Sequence, residues 1–360
     1  MDVDPSALED RLIEKYTVDV MYKIIIRAPN HLGDLLMAQP AVRGLVKNCL
    51  NEKISLLLPE WAEVIYRDIE NIKMLPLEQE LLHGGHAIFR QRDRISGKNF
   101  DTGILLTPSF SSALVFYLSG IKRRYGYKGD GRNFLLNHAI DHEEAAFKHR
   151  SVKYLHLMTS FIGKDIVFEP PKIKLFDETR KSVEKKLDEY GINRDTAFIA
   201  VAPQAIAESR RWGSANYAAL SEKLIDKFGV KIILLGAVNE YQAGEQIARD
   251  SGNIINLCGK TDIEAAAAIL SLSRLFIGND SGLAHLAAAV DTPLVVLSGA
   301  DRPSETSPIS EKKIILIKDN LDCISCVKNI CPKKENDFMK CMKDISVVEV
   351  FDAAQSMFLK

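Results

Sequence analysis

One polar turn, at residues 280–282, combines the residue types that bind anions in α/β proteins. Asp280, Ser281 and Gly282 follow an apolar run that predicts a strand and precede an alanine-rich run that predicts a helix. Free backbone N–H groups and the positive end of the helix dipole meet there, as at sites that bind a nucleotide diphosphate. The same residue types also cap helices without any ligand, so this turn alone does not decide between the two roles. His285, on the first turn of the helix, either contacts the phosphate or packs.

An aspartate occupies a similar turn between a strand and a helix early in the chain. The isoleucine-rich run 24–26 predicts a strand, and a loop with Pro, Asn and Gly leads to a helix that begins near Asp34. The helix dipole favours the ionised carboxylate, which can accept a proton. A lone aspartate at a helix start is more often only a cap. The sequence therefore predicts a base at Asp34 if the 280–282 turn faces it across a cleft.

Strand-like and helix-like runs that alternate strictly must position these turns. Such alternation is typical of βαβ units with parallel sheets. The predicted elements of the first half are 23–26, 35–45, 54–58 and 61–68, and those of the second half are 198–202, 216–228, 231–235, 241–250, 254–257, 263–270, 275–277, 283–290 and 294–297. Residues 168–172 break the pattern, and a charged helix at 177–190 follows them. We therefore place the domain junction there.

Length and composition agree with two α/β domains. The 360 residues exceed a single typical domain, and 46% are hydrophobic. The predicted boundaries are an extension at 1–20, a first domain at 21–175, a second at 176–345 and a C-terminal helix at 346–360. The net charge of −1 argues against a nucleic-acid partner. No apolar run is long enough to span a membrane and the N-terminus lacks a signal-peptide core, so we expect a cytoplasmic protein.

Two Rossmann-like domains occur in dehydrogenases, in exported binding proteins and in two-domain glycosyltransferases. The dehydrogenase class requires a Gly-x-Gly-x-x-Gly turn after an early strand, and the chain has none. The binding-protein class requires an export signal, which we do not find either. An enzyme with a cleft between the two domains is the class that fits.

Three segments together resemble glycosyltransferase family 9, the heptosyltransferases. They are Gly33-Asp34 after the first strand, the segment 203–220 with Arg210-Arg211-Trp212, and 278–285 followed by Pro293-Leu294-Val295. Residues 109–114, 120–127 and 135–138 are similar to the lipopolysaccharide heptosyltransferase II branch. The resemblance extends in order over residues 22–358, which makes it more specific than any single motif.

The resemblance implies a GT-B fold, with two facing Rossmann-like domains, parallel sheets and an interdomain cleft. The first domain would bind the acceptor and the second the nucleotide sugar, and the last helix would cross back to the first domain. The implied reaction is inverting transfer of heptose from ADP-L-glycero-D-manno-heptose to the lipopolysaccharide inner core at the inner membrane surface. No cofactor would be required. Asp34 matches the proposed catalytic base of the family.

Further residues acquire expected roles from this mechanism. Arg210 or Arg211, together with the 280–282 turn, would bind the departing diphosphate, because cations and N–H groups stabilise its growing charge. The family usually has lysine where Arg210 aligns, so the chain departs from the pattern here. By resemblance, Gly236 lies beside the nucleotide and Glu240 holds the ribose hydroxyls.

Basic clusters in the first half are candidates for attracting a phosphorylated acceptor at a membrane. They are 90–92, 122–124 and 148–150, and we assign acceptor binding to Arg123 and Arg124. Solvated surface charge is the more common explanation for any single cluster. An enzyme of this kind would be cytoplasmic and peripheral at the inner face of the inner membrane.

Four of the six cysteines form a C-terminal cluster within 323–341, namely Cys323, Cys326, Cys331 and Cys341. In a cytoplasmic protein such a cluster is more often a metal site than a set of disulfides. The spacing departs from paired zinc knuckles, so structural zinc, plain reduced thiols and an iron–sulfur cluster all stay open. Two alternatives to heptose transfer also remain: a family relative with another nucleotide-sugar donor, and a nucleotide-binding or redox protein centred on the cysteines.

Overall fold

The computed structural model describes residues 22–82, 84–141, 148–249 and 251–359. The predicted extension at residues 1–20 lies outside these ranges. The described chain folds into two halves, each built on a six-stranded parallel sheet with helices on its faces. This architecture confirms the predicted α/β class.

The first sheet has the strand order β3-β2-β1-β4-β5-β6. Its strands are β1 (Lys23–Arg27), β2 (Lys53–Pro59), β3 (Ile72–Leu77), β4 (Thr102–Leu105), β5 (Arg123–Tyr127) and β6 (His138–Ile140). The central strands are continuous apolar runs because a parallel sheet is covered on both faces, and Ile24, Ile25 and Ile26 are fully buried. The strand order reverses between β1 and β4, which is the topological switch point where α/β folds bind ligands.

The second sheet has the order β12-β11-β10-β7-β8-β9 and repeats this plan. Its strands are β7 (Phe198–Ala202), β8 (Lys231–Leu234), β9 (Ile254–Asn256), β10 (Leu275–Asn279), β11 (Leu294–Leu297) and β12 (Lys313–Leu316). Here the order reverses between β7 and β10. The predicted strands 198–202 and 294–297 are confirmed to the residue, whereas β10 extends two residues beyond the prediction.

Helices connect the strands in both halves. In the first half and the junction they are α1 (Leu32–Asn48), α2 (Glu63–Tyr66), α3 (Gly85–Ile95), α4 (Phe110–Leu118), α5 (Arg150–Ile162) and α6 (Asp177–Asp188). In the second half they are α7 (Ser214–Phe228), α8 (Tyr241–Ala248), α9 (Ile263–Leu272), α10 (Gly282–Ala289), α11 (Pro303–Thr306), α12 (Lys340–Lys343) and α13 (Val347–Phe358). Among the longer helices, α5 and α7 end at glycines in the left-handed conformation, Gly163 and Gly229.

The C-terminal helix α13 packs within the second half. It contacts α7, β10 and β11, and Val350, Ala354 and Met357 are buried in the apolar core of that half. The resemblance implied instead that this helix packs back on the first domain. The apolar face of α13 is already covered by the second sheet and α7, so this expectation is corrected.

None of the helices in the described ranges combines the length and the apolar character needed to cross a lipid bilayer.

Candidate active site

Asp34 lies on the first turn of α1, immediately beyond the carboxyl end of β1. Arg150, the first residue of α5, donates a hydrogen bond from Nη1 to Asp34 Oδ1 at 2.5 Å. The Asp34 side chain keeps 19% of its surface exposed, and within the described ranges its Oδ2 accepts no hydrogen bond. The ion pair therefore orients the carboxylate and leaves one of its oxygens without a hydrogen-bond donor among the described residues.

The predicted phosphate turn meets Asp34's helix directly. A Cβ built on Gly282, at the start of α10, would lie 2.9 Å from Cβ of Leu32 on α1. A Cβ on Gly33 would lie 2.9 Å from the His285 ring on α10. Each contact requires glycine because any side chain would push the two helices apart. The N-termini of α1 and α10 consequently face one another across the boundary between the halves, which brings together turns that are almost 250 residues apart in sequence.

His285 packs in this boundary. Its side chain is buried, and burial lowers the pKa of its imidazole to about 4, so the ring is neutral at pH 7. The ring packs against Gly33 of α1, and its predicted contact with phosphate stays a prediction. Likewise, the close approach that Gly282 permits is to Leu32 of the first half.

Arg210 faces two buried carboxylates. Its Nη2 lies 2.6 Å from Asp301 Oδ1, and the Arg210 side chain is about one-third exposed. Asp301 follows β11, so it reaches the same carboxyl edge of the sheet as Asp280 after β10. Burial and the neighbouring Asp301 raise the pKa of Asp280 to about 7, and burial raises the pKa of Asp301 to about 6. Arg210 opposes both shifts and is the cation that pairs directly with Asp301.

Arg211 points elsewhere. Its Nε donates to the carbonyl of Ala205 at 2.8 Å, and its residue is exposed. The sequence left open which of the two arginines contacts the donor diphosphate. The geometry favours Arg210, which is held beside the loops after β10 and β11.

Gly236 and Glu240 lie at the carboxyl end of β8. Glu240 Oε2 accepts a hydrogen bond from the Ala237 backbone at 2.8 Å, so one carboxylate oxygen supports the turn itself. A Cβ on Gly236 would collide with that carboxylate. The pair lies one strand from the β7–β10 switch point, and its predicted contact with the nucleotide stays a prediction.

Arg123 and Arg124 lie at the amino end of β5, the edge of the sheet opposite to Asp34. The Arg123 guanidinium stacks 4.0 Å from the Tyr22 ring. Arg124 donates from Nε to the carbonyl of Leu135 at 2.6 Å. The structure therefore does not bring these two arginines to the cleft, and the acceptor role predicted for them has no geometric support.

Three residues at the cleft edge escaped sequence reasoning: Arg27, Asp301 and Lys313. Arg27 ends an apolar strand and received no role from the sequence, and it is 3% exposed. The sequence could have indicated Asp301, because it follows the predicted strand 294–297 and so lies at the same edge of the sheet as Asp280. Lys313 is recognisable only from packing, because its charge acts on Asp280 through space.

The clustered cysteines lie beside the Asp301 loop. All four thiols are free and half-buried, and the backbone N–H of Met339 donates to Cys331 Sγ at 3.3 Å. Burial and the three other cysteines raise the pKa of Cys341 to about 11. Within the described ranges, no three His, Cys, Asp or Glu side chains form a group arranged to hold a metal ion. Structural zinc, an iron–sulfur cluster and reduced thiols all stay predictions for this segment.

Comparison with known proteins places this geometry in a family. Residues 88–336 match the model of glycosyltransferase family 9 (heptosyltransferase). Lipopolysaccharide heptosyltransferase 2 of Escherichia coli K12 is 27% identical over 307 residues, covering 82% of this chain and 87% of the relative.

Solved structures show the same fold. The E. coli ADP-heptose lipopolysaccharide heptosyltransferase II superposes with a TM-score of 0.74 at 24% identity, covering 94% of this chain and 98% of that one. The family 9 glycosyltransferase of Veillonella parvula superposes with a TM-score of 0.79 at 18% identity, covering 94% and 97%. The two facing parallel-sheet halves are therefore a GT-B fold, and the chain belongs to glycosyltransferase family 9, the heptosyltransferase family.

Proposed function

We propose that the protein transfers heptose from an ADP-activated donor to the lipopolysaccharide inner core, with inversion at the reacting carbon. The observation that carries this proposal is the packing of the N-termini of α1 and α10, which brings the Asp34 carboxylate and the 280–282 turn to one gap between the halves. Curated relatives named heptosyltransferase 2 and the family match support heptose and lipopolysaccharide as the substrates.

Asp34 acts as the general base in this proposal. The acceptor hydroxyl donates its proton to the free Oδ2, while Arg150 holds Oδ1 and fixes the carboxylate plane. A general base must lie within hydrogen-bond reach of the proton that it removes, and positioning of this kind lowers the barrier by making the attack intramolecular. The attacking oxygen then approaches the anomeric carbon from the face opposite to the diphosphate, which inverts its configuration.

The diphosphate leaves toward the second half. Its charge grows as the glycosidic bond breaks, so preorganised donors stabilise the transition state more than the ground state. Arg210 and the N-terminus of α10 supply these donors. Asp280 and Asp301 do not attract phosphate; Asp301 pairs with Arg210 and holds it beside the 280–282 turn. Because a guanidinium and backbone N–H groups meet the leaving charge, we expect turnover to persist after dialysis against a chelator.

The acceptor is part of a membrane lipid, so the protein would work at the inner face of the inner membrane as a peripheral, cytoplasmic enzyme. Its relatives' named substrates support this placement.

The test is a transfer assay with purified protein, ADP-heptose and an inner-core acceptor, in which the product is identified by mass and its anomeric configuration by NMR. Asp34→Asn should lower kcat by at least about 100-fold, because the amide cannot take the proton. Asp93→Asn on the exposed face of α3 is the matched control and should keep the wild-type rate. Transfer from another nucleotide sugar alone would refute heptose, and an active Asp34→Asn enzyme would refute the base.

A further inference from the structure

A polar cavity opens at the switch point of the first sheet, beside the loop that carries Asp34. It has a volume of about 120 Å³ and lies between the carboxyl ends of β1 and β4. Since a water molecule takes up about 30 Å³ of the liquid, the cavity has room for a group the size of a phosphate or a carboxylate. The lining residues that argue for a ligand are Arg27, Asn30, Thr107, Ser109, Ser111 and Ser112.

Arg27 is a buried cation without a counterion. Its side chain is 3% exposed, and within the described ranges no carboxylate lies in ion-pair distance of it. Nη1 donates to the carbonyl of Ala28 and Nη2 donates to Asn30 Oδ1 at 2.7 Å, whereas the Nε–H has no acceptor. A buried charge with no partner costs free energy, so proteins retain one where a ligand completes it.

A second buried arginine shows what a purely structural role looks like here. Arg132 supports the same β4–α4 loop, and its guanidinium donates to the carbonyls of Tyr127 and Thr107. Every nitrogen of that guanidinium has an acceptor. Arg27, by contrast, lines the cavity, and its Nε–H has no acceptor among the described residues.

The other wall of the cavity consists of hydroxyl groups. Ser112 Oγ lies 2.6 Å from Thr107 Oγ1 and 2.8 Å from Ser109 Oγ, and Ser111 Oγ lies 3.3 Å from Ser109 Oγ. Hydroxyls can rotate to donate to an anion, so this chain of side chains is adaptable. The N-terminus of α4 contributes less, because Asp130 and Ser109 already accept from its backbone N–H groups at Phe110 and Ser112.

We propose that this cavity binds an anionic group of the acceptor, a phosphate or a carboxylate, through Arg27 and the serine hydroxyls. The inference rests on the proposed function and deepens it, because Asn30 joins the cavity to the loop that leads to Asp34. An anion held there would fix the acceptor against the first half while its hydroxyl reaches the base. Arg27 is thus a specificity residue for the acceptor.

The first experiment uses Arg27→Met with Arg123→Met as the matched control, since Arg123 belongs to the same sheet but lies at its opposite edge. Arg27→Met should raise the KM for acceptor by about 10- to 100-fold, with the donor KM changed less than about threefold. Arg123→Met should change neither. Ser111→Ala, at an exposed position, should raise the acceptor KM by about two- to fivefold and retain the wild-type thermal midpoint.

Acceptors that lack one anionic group show which group the cavity recognises. Acceptors that lack either the phosphate or the sugar carboxylate are compared on the wild-type and Arg27→Met enzymes. The acceptor without the recognised group should lose affinity for the wild type and become insensitive to Arg27→Met. If Arg27→Met penalises every acceptor equally, or if the Ser111→Ala enzyme is unchanged, the proposal is overturned.

A binding measurement separates this inference from the transferase proposal. Inorganic phosphate and acetate are added without donor, and the thermal midpoint is recorded for wild type and both arginine variants. A stabilising shift by either probe that Arg27→Met abolishes and Arg123→Met preserves supports the site even if heptose transfer fails. Shifts that are equal in all three proteins refute it.

Discussion

The switch-point crevices of the two halves have the same architecture, and each holds an arginine, but only one of the two arginines is paired with a carboxylate. At β1–β4, the buried Arg27 faces hydroxyl groups, and no carboxylate of the described residues lies within ion-pair distance of it. At β7–β10, Arg210 faces the buried Asp301, with Asp280 next to it. One crevice thus stores an uncompensated positive charge, whereas the other holds its cation in a preformed ion pair. The fold supplies the place for binding in both halves, and the side chains at the strand ends decide what is bound.

The loss of its arginine should reduce activity and stability more in the β7–β10 crevice, where Arg210 is paired with Asp301, than in the β1–β4 crevice. Arg210→Met removes the cation that we propose binds the diphosphate, and it leaves the carboxylates of Asp280 and Asp301 to repel that group. We expect kcat/KM for the donor to fall by about 100-fold and the free energy of unfolding to fall by about 1–3 kcal/mol. Steady-state kinetics and urea unfolding measure the two effects. Arg211→Met, which loses only contacts to a loop carbonyl, should stay within about threefold of wild type.

A double variant separates the two consequences of losing Arg210. Arg210→Met combined with Asp301→Asn removes the uncompensated carboxylate, so stability should recover while donor kcat/KM remains low. Recovery of turnover together with stability would show that Arg210 only maintains the fold. Equal losses in the Arg210 and Arg211 single variants would show that the ion pair with Asp301 does not set Arg210 apart from its neighbour.

The sequence was most informative about elements with continuous apolar runs. Strands 198–202 and 294–297 were predicted to the residue because both faces of a central parallel strand are buried. Strand β3 was not identified, because Lys73 and Pro76 interrupt its apolar pattern near the sheet edge. For the site, the position of Asp34 at a helix start was local information that the sequence contains.

The sequence does not predict which side chains of the site pair across separate loops. No local pattern shows that Asp34 pairs with Arg150, or that Arg210 pairs with Asp301, since each pair joins separate loops. Arg27 has the composition of an exposed strand end, and only the tertiary packing shows that it is buried. Arg123 and Arg124 illustrate the opposite failure: the charge pattern was correct, but the amino end of β5 lies at the wrong edge of the sheet.

The buried carboxylate of the second crevice predicts a pH dependence of stability. The pKa of Asp280 is raised to about 7 by burial and by Asp301, so the native state binds this proton more tightly than the unfolded chain does. Its contribution to stability is complete below about pH 4 and is lost as the pH rises through about 7. We expect Asp280→Asn to reduce the fall in unfolding free energy between pH 4.5 and 7.5 by on the order of 1–3 kcal/mol.

Urea unfolding at several pH values measures this slope. Asp226→Asn, at an exposed position of α7, is the control and should keep the wild-type slope. The Asp301 carboxyl, whose pKa burial raises to about 6, acts in the same direction and should account for part of the slope that remains. If the Asp280→Asn protein kept the full wild-type slope, the Asp280 carboxyl would be hydrated. The second crevice would then differ less from the first crevice in its buried charge than the structure indicates.

The smallest expected effect concerns the clasp that holds the two crevices face to face. Arg67 of the first half forms a two-pronged ion pair with Glu264 on α9 of the second half, and Thr179 Oγ1 donates to the same carboxylate at 2.6 Å. Both partners are about one-quarter exposed, so we expect a coupling free energy of about 1 kcal/mol from the Arg67→Ala and Glu264→Ala cycle.

The matched control is the pair of Arg43 and Asp68, which lie 2.9 Å apart within the first half and are similarly buried. The proposed mechanism requires both crevices to meet at one reacting carbon, so Arg67→Ala should raise the KM for donor and acceptor by the same factor, about two- to fivefold. Arg43→Ala should cost similar stability and leave both constants unchanged. A change in the constant for only one substrate would mean that the clasp acts within a single crevice rather than on the alignment of the two.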